Sequence, residues 1–346
     1  MSDNAITPLA MPLPWQQTSW EQLNRAWRNR RLPHALLLHG TAGIGKHAFA
    51  KWLAQALFCE AHALDASSGE LKPCGVCASC KLFKAGSHPD FVVLSPEEDK
   101  QQISVDQIRA AAERLTMTSG RSGYRVAIVE PAHQMTLAAA NSLLKTLEEP
   151  GANSLIVLVT SQRSALLPTI RSRCQQLDMP TPRPELAQAW LNQQIGKIAP
   201  VELLEFAGGA PLKAMAYLQG SFETLQRSMT PALAALGSGT VDVTQLAQEW
   251  LDEYLPDRLN WLDYWLMRLL RQEILRSEDK VTPDMGRVPL QSAAQVLNIS
   301  ALFQSLDKLR ELKAQLRRTA LQKELALESV LLILQRALSL RPATAI

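Results

Sequence analysis

Three groups of residues in this chain have the types and spacing to do chemistry. The first is the loop HGTAGIGKH, His39 to His47. Gly40, Gly45 and Lys46 match Gly-x-x-x-x-Gly-Lys, the pattern whose backbone N–H groups and lysine hold phosphates at a helix N-terminus. Gly40, Gly43, Gly45 and Lys46 are the candidate phosphate contacts. The residue after the lysine normally brings a hydroxyl to Mg²⁺; here it is His47, which has no such oxygen. Glu130 ends another apolar run, where hydrolysis calls for an acidic pair, but Pro131 follows it. Two parts of a phosphoryl-transfer site are therefore missing, and a retained scaffold loop is expected. Weak nucleotide binding without turnover stays open.

The second group is Cys74-x-x-Cys77-x-x-Cys80 with Cys59 upstream, four of the five cysteines in the chain. Four thiolates suit a closed tetrahedral site, so structural Zn²⁺ is expected on Cys59, Cys74, Cys77 and Cys80. His62 and His88 are rival ligands. The third group is TIRSRC, Thr169 to Cys174. Arginine at the edge of a nucleotide domain can reach a neighbour's γ-phosphate, although spacing alone reads Arg173 as an ordinary exposed side chain. Cys174 reads as a buried small residue.

The elements that must position these groups follow from the apolar pattern. HALLLHG is a short buried strand running into the glycine loop, and KHAFAKWLAQALFC has helical periodicity. DFVVLSP, YRVAIVEP and SLIVLVTS are three further strands. SVDQIRAAAERL is a helix with Ser104 as N-cap, and TLAAANSLLKTLEEP is a helix capped by Thr136 and stopped by Pro150. Strands alternating with helices predict a parallel sheet. The proline-rich MPTPRPE, Met179 to Glu185, marks a boundary. Beyond it GGAPLKAMAYLQG reads as a turn opening a helix, and from about Glu223 onward the pattern is helical, with Trp and Leu stripes that read as core.

Composition limits the partners. The chain has 346 residues, 47% hydrophobic, with a net charge of +3. No global basic field announces nucleic acid, and RAWRNRR, Arg25 to Arg31, reads as a solvated helix face. A zinc module binding nucleic acid alone is disfavoured by the same charge. No apolar run reaches the ~20 residues of a membrane span. MSDNAITPLAMPLPW lacks the basic start and apolar core of a secretory signal, so the cytoplasm is the expected compartment.

HALLLHGTAGIGK, the four-cysteine module, GSHPDFVVLSPE, ISVDQIR, NSLLKTLEEP and LLPTIRSRC together resemble the AAA+ clamp-loader family, most closely its delta-prime branch in bacterial DNA polymerase III. These stretches cover His34 to Cys174; the C-terminal half matches in length and helical character. The resemblance implies an α/β P-loop AAA+ domain over 1–180, a parallel sheet with helices on both faces and the zinc module inserted at 59–80. A small helical lid over 181–222 and an all-α collar over 223–346 would follow. It also implies a hetero-pentameric ring with tau/gamma motor subunits and a delta subunit, which loads the sliding clamp onto primed DNA with ATP within a DNA-directed DNA polymerase, a nucleotidyltransferase.

In that ring the delta-prime position is non-hydrolysing and presents the arginine of Ser-Arg-Cys in trans to a neighbour's ATP. Carried over, the arginine is Arg173, between Ser172 and Cys174. Thr160 falls at the sensor position, and Lys145, Glu148 and Glu149 are candidates for coupling the interface to DNA. His47, Glu130-Pro131 and Leu212 depart from the motor pattern of Ser/Thr, Asp-Glu and a lid Arg. An active motor ATPase is the alternative that these departures oppose.

Overall fold

The computed structural model describes residues 11–61, 70–98, 100–116, 123–219, 222–252, 254–277, 298–315 and 321–338. The chain divides into two compact units, Met1–Met215 and Ala216–Ile346.

The first unit is built on five strands: β1 (Ala35–His39), β2 (Phe91–Leu94), β3 (Arg125–Val129), β4 (Ser154–Thr160) and β5 (Gln175–Asp178). They lie in the order β2-β3-β4-β1-β5, every pairing parallel. This is the α/β P-loop arrangement of the AAA+ type. Successive side chains of a strand point to opposite faces, and the two halves of the core show it. Leu36 and Leu38 of β1, Val126 and Ile128 of β3, and Leu155, Val157 and Val159 of β4 face one layer. Ala35 and Leu37, Ala127 and Val129, and Ile156 and Leu158 face the other. Strands buried on both sides need continuous apolar runs, as ALLLH and SLIVLVT supply.

On the first face lie α1 (Gln17–Arg28), contributing Trp20 and Leu23, and α2 (Lys46–Phe58), contributing Phe49 and Leu53. On the second lie α4 (Val105–Thr116), with Ile108, Ala111 and Leu115, and α5 (Leu137–Glu148), with Leu143 and Leu147. Between them in the chain, α3 (Ala78–Lys84) carries part of the cysteine cluster. Fully burying one such leucine contributes about 1.5–3 kcal/mol.

Local signals set the helix starts. Gln107 N–H donates to Ser104 Oγ at 3.3 Å and Ser104 N–H donates to Gln107 Oε1 at 2.9 Å, a reciprocal capping box. Thr136 Oγ1 accepts from Ala139 N at 3.1 Å, as the N-cap reading expects. β5 is the strand that the sequence pattern hides: QQLD is short and polar, and it sits at the sheet edge with only Leu177 buried. Just ahead of it in the chain is α6 (Pro168–Arg173), and after it come α7 (Pro184–Ile195), α8 (Val201–Phe206) and α9 (Pro211–Gln219).

The second unit is helical throughout its described residues: α10 (Phe222–Ser238), α11 (Val243–Trp250), α12 (Leu255–Ser277), α13 (Ile299–Gln315) and α14 (Leu321–Leu338). Leu302, Leu306 and Leu309 of α13 and Leu327, Val330, Leu331 and Leu334 of α14 recur at helical spacing and are buried. Trp250, Trp261 and Trp265 are buried too, so the tryptophan stripe is core. No described helix is long and apolar enough to cross a membrane.

Candidate functional site

The glycine loop joins β1 to α2. Gly45 is the N-cap of α2 with φ 89°, a left-handed conformation that glycine adopts without a Cβ clash. Gly40, with φ 147°, runs so close to the β5 exit that an added Cβ would lie 2.1 Å from the Met179 carbonyl oxygen. Gly43 lies in the same turn, its carbonyl accepting from Leu212 N at 3.1 Å. The loop thus has the curvature of a phosphate cradle.

Its interior is satisfied by the chain itself. Lys46, almost fully buried, donates from Nζ to Gly40 O at 2.8 Å and to Thr41 O at 2.7 Å. Burial lowers its pKa from the usual lysine value, and the Glu130 carboxylate partly offsets the shift. His47 Nδ1 and Glu130 Oε2 are hydrogen-bonded to each other. The residue that follows the loop lysine is therefore joined side chain to side chain with the carboxylate just after β3. Thr160, buried at the end of β4, shares a 2.9 Å hydrogen bond with His133 Nδ1 and accepts from Gln162 N at 3.0 Å.

The outside of the loop is also covered. Residues Pro14–Gln16 form a short 3₁₀ turn before α1. Trp15 Nε1 donates to Ile44 O at 2.8 Å, and Gln16 Nε2 donates to Ile44 O at 3.1 Å and to Gly45 O at 3.0 Å. A Cβ on Gly45 would fall 2.6 Å from Leu13 Cδ1 and 3.0 Å from Leu212 Cδ1. Leu212 is thus an apolar side chain packed against the loop. Residues 13–16 were invisible as site residues in the sequence, because nothing local in PLPWQQ says that it folds against a loop 28 positions away.

The four cysteines come together as their spacing demands. Cys59 caps the end of α2, Cys77 is the N-cap of α3, and Cys80 lies in its first turn. All four sulfurs lie within 4.8 Å of one another. Four thiolates at Zn–S bond length around one ion sit about 3.8 Å apart, so the donor set fits zinc after slight contraction. Cys74 N, Cys77 N and Cys80 N donate to the sulfurs of Cys59, Cys74 and Cys77 at 3.2, 3.4 and 3.4 Å. Such N–H donors favour thiolate, and with Val76 and Cys77 as donors the exposed Cys74 is lowered to about 6. Burial raises Cys59 and Cys80. His88 is stacked on Phe58, ring centroids 4.0 Å apart, and is not part of the cluster; His62 lies outside the described residues.

Arg173 ends α6, on the second face of the sheet. Nη2 pairs with Glu148 Oε1 at 2.6 Å and Nη1 donates to Thr169 O at 3.1 Å. Cys174 beside it is buried, and burial pushes its thiol up to about 12. Arg25, Arg28, Arg30 and Arg31 are exposed around the end of α1, as a solvated face requires.

Comparison with known proteins supplies the family. Residues 15–183 match the family model described as DNA polymerase III, delta subunit, and residues 225–336 match its C-terminal counterpart. DNA polymerase III subunit delta' of Pseudomonas aeruginosa is 37% identical over 280 residues, 80% of this chain and 82% of that protein. The subunit delta' of Yersinia pestis is 32% identical over 335 residues, 94% of this chain and 96% of that protein. DNA polymerase III subunit tau/gamma of Haemophilus influenzae is 28% identical over 284 residues, 81% of this chain but 39% of that longer protein. The chain belongs to the delta' subunit family of DNA polymerase III.

Proposed function

We propose that this delta' subunit is a non-hydrolysing member of its clamp loader and donates Arg173 in trans to the ATP of a neighbouring tau/gamma subunit. The observation that carries the first half is the pairing of His47 with Glu130 beside a Lys46 already bonded to Gly40 and Thr41. A Mg²⁺-nucleotide would need oxygen donors at the first pair and a free ammonium at the second. Thr160, at the sensor position, has no hydrolytic nucleotide of its own to read in this scheme.

The second half rests on the exposed position of Arg173 at the end of a helix held by the buried Ile170 and Cys174. A planar guanidinium there can neutralise charge spreading over the γ-phosphoryl oxygens of a docked partner. The assembly would be a ring with tau/gamma and delta subunits in the cytoplasm, acting on the sliding clamp and primed DNA. Residues 181–222 would serve as lid, 223–346 as collar, and Cys59, Cys74, Cys77 and Cys80 would hold a structural Zn²⁺ that fixes the 59–80 module to α2. The zinc closes a loop; with four protein ligands it offers no open coordination position.

The test is ATP turnover by the purified chain and by the reconstituted complex. The chain alone should be inactive, and Arg173→Ala should cut DNA-stimulated turnover of the complex without preventing assembly. Brisk turnover by the lone chain, abolished by Lys46→Ala, would establish the motor reading instead. Unchanged turnover in the Arg173→Ala complex would remove the finger.

A further inference from the structure

Arg173 is held in a specific pose. Its helix, α6, is pinned by Ile170 and Cys174, both buried. Its guanidinium is fixed at two points, by the Thr169 carbonyl at 3.1 Å and by Glu148 at 2.6 Å. Glu148 is itself on firm ground. It is the last residue of α5, which is anchored by the buried Leu143 and Leu147. The Leu147 carbonyl is bonded to His34 Nε2 at 3.0 Å, tying the end of α5 to the start of β1. The side chains of the pair remain 37% and 49% exposed, so the guanidinium N–H groups not engaged by Glu148 and Thr169 are open to a ligand from outside.

We propose that Glu148 is a positioning residue for Arg173: it preorganises the guanidinium so that its free N–H groups meet the neighbour's γ-phosphate. The inference rests on the arginine-finger reading and adds to it the residue that aims the finger. An unrestrained arginine samples many rotamers, and each must be frozen out when the phosphate is engaged. A carboxylate bonded to Nη2 removes part of that search in advance, while leaving the N–H groups not taken by Glu148 and Thr169 for the phosphate. Because the pair is half-exposed, the gain is modest, and the structure assigns Glu148 a contribution to rate rather than to folding.

The experiment uses the full chain reconstituted with its tau/gamma and delta subunits, with steady-state ATP turnover measured against ATP concentration. The variants are Glu148→Ala, Glu148→Gln, Arg173→Ala, and Glu148→Ala with Arg173→Ala. Glu148→Ala is expected to lower kcat about two- to fivefold, the size of an exposed charge pair, with a smaller change in KM. Glu148→Gln, which keeps the acceptor oxygen and loses the charge, should recover part of the loss, and it carries the test should the alanine variant fail to assemble. In the Arg173→Ala background, replacing Glu148 should change nothing further.

An unchanged or raised kcat in Glu148→Ala, beside a large loss in Arg173→Ala, would overturn the positioning role while leaving the finger intact. So would a loss that persists undiminished in the double variant, the mark of a purely structural effect. If Arg173→Ala itself leaves kcat unchanged, the finger reading fails, and the proposal for Glu148 falls with it.

Discussion

Replacement of Gln16 by alanine measures how firmly the N-terminal turn closes the glycine loop. The Gln16 side chain is fully buried and makes three hydrogen bonds: Oε1 accepts from Leu13 N at 3.1 Å, and Nε2 donates to Ile44 O at 3.1 Å and Gly45 O at 3.0 Å. The three losses are unequal. Ile44 O keeps Trp15 Nε1 as a donor at 2.8 Å, and Gly45 O keeps Phe49 N at 3.0 Å. Those two bonds are thus worth about 0.5–1.5 kcal/mol each.

The Leu13 N–H has no such substitute in the alanine variant, and Leu13 is fully buried, so an orphaned donor adds about 1–3 kcal/mol. With partial relaxation around the small void, Gln16→Ala should destabilise the chain by about 2–4 kcal/mol. Gln16→Glu should cost at least as much, since a carboxylate would face two carbonyl oxygens. Urea unfolding of the full chain, followed by circular dichroism and tryptophan fluorescence, reads both effects. A loss under about 0.5 kcal/mol, the range of an ordinary surface substitution, would refute the docking of residues 13–16 on the loop.

The cysteine cluster predicts about one zinc per chain in the native protein, and its loss in Cys77→Ser with a destabilised first unit; elemental analysis of native protein showing no zinc would dismiss the site. Cys174, raised to about 12 by burial, should stay unmodified by iodoacetamide at pH 8 in the native chain and react in urea, as peptide mapping would reveal. The same shift fixes a sign for stability. The unfolded thiol ionises near 9.0, so the Cys174 contribution is intact below that pH and is lost as pH rises toward 12. Labelling of native Cys174 as fast as in urea would contradict its burial.

Much of the scaffold was legible in the residues. Four of the five strands announced themselves as apolar runs: β1, β3 and β4 because a strand covered on both faces must be apolar throughout, as in ALLLH and SLIVLVT, and the edge strand β2 through FVVL, although only its Leu94 is buried. β5, at the opposite edge, did not: QQLD is polar apart from Leu177, its one buried side chain, so it carries little pattern. Ser104 and Thr136 were legible as caps because a cap is a local interaction spanning three residues. The cysteine cluster was legible too: Cys74, Cys77 and Cys80 by their local spacing, and Cys59, read as the fourth ligand, by its place at the end of α2, where its sulfur accepts from Cys74 N.

The sequence by itself determined which side chains stand at the loop: with His47 and Pro131 in place, no fold can put a hydroxyl or a second carboxylate at those positions. Only the tertiary structure decided what became of the parts left behind. It joined His47 to Glu130 across 83 positions, turned the Lys46 ammonium onto its own loop, laid Gln16 over Gly45, and set Glu148 against Arg173. Those outcomes depend on side chains brought together from distant segments by the packing of helices on a sheet, and no spacing along the chain encodes a contact of that kind.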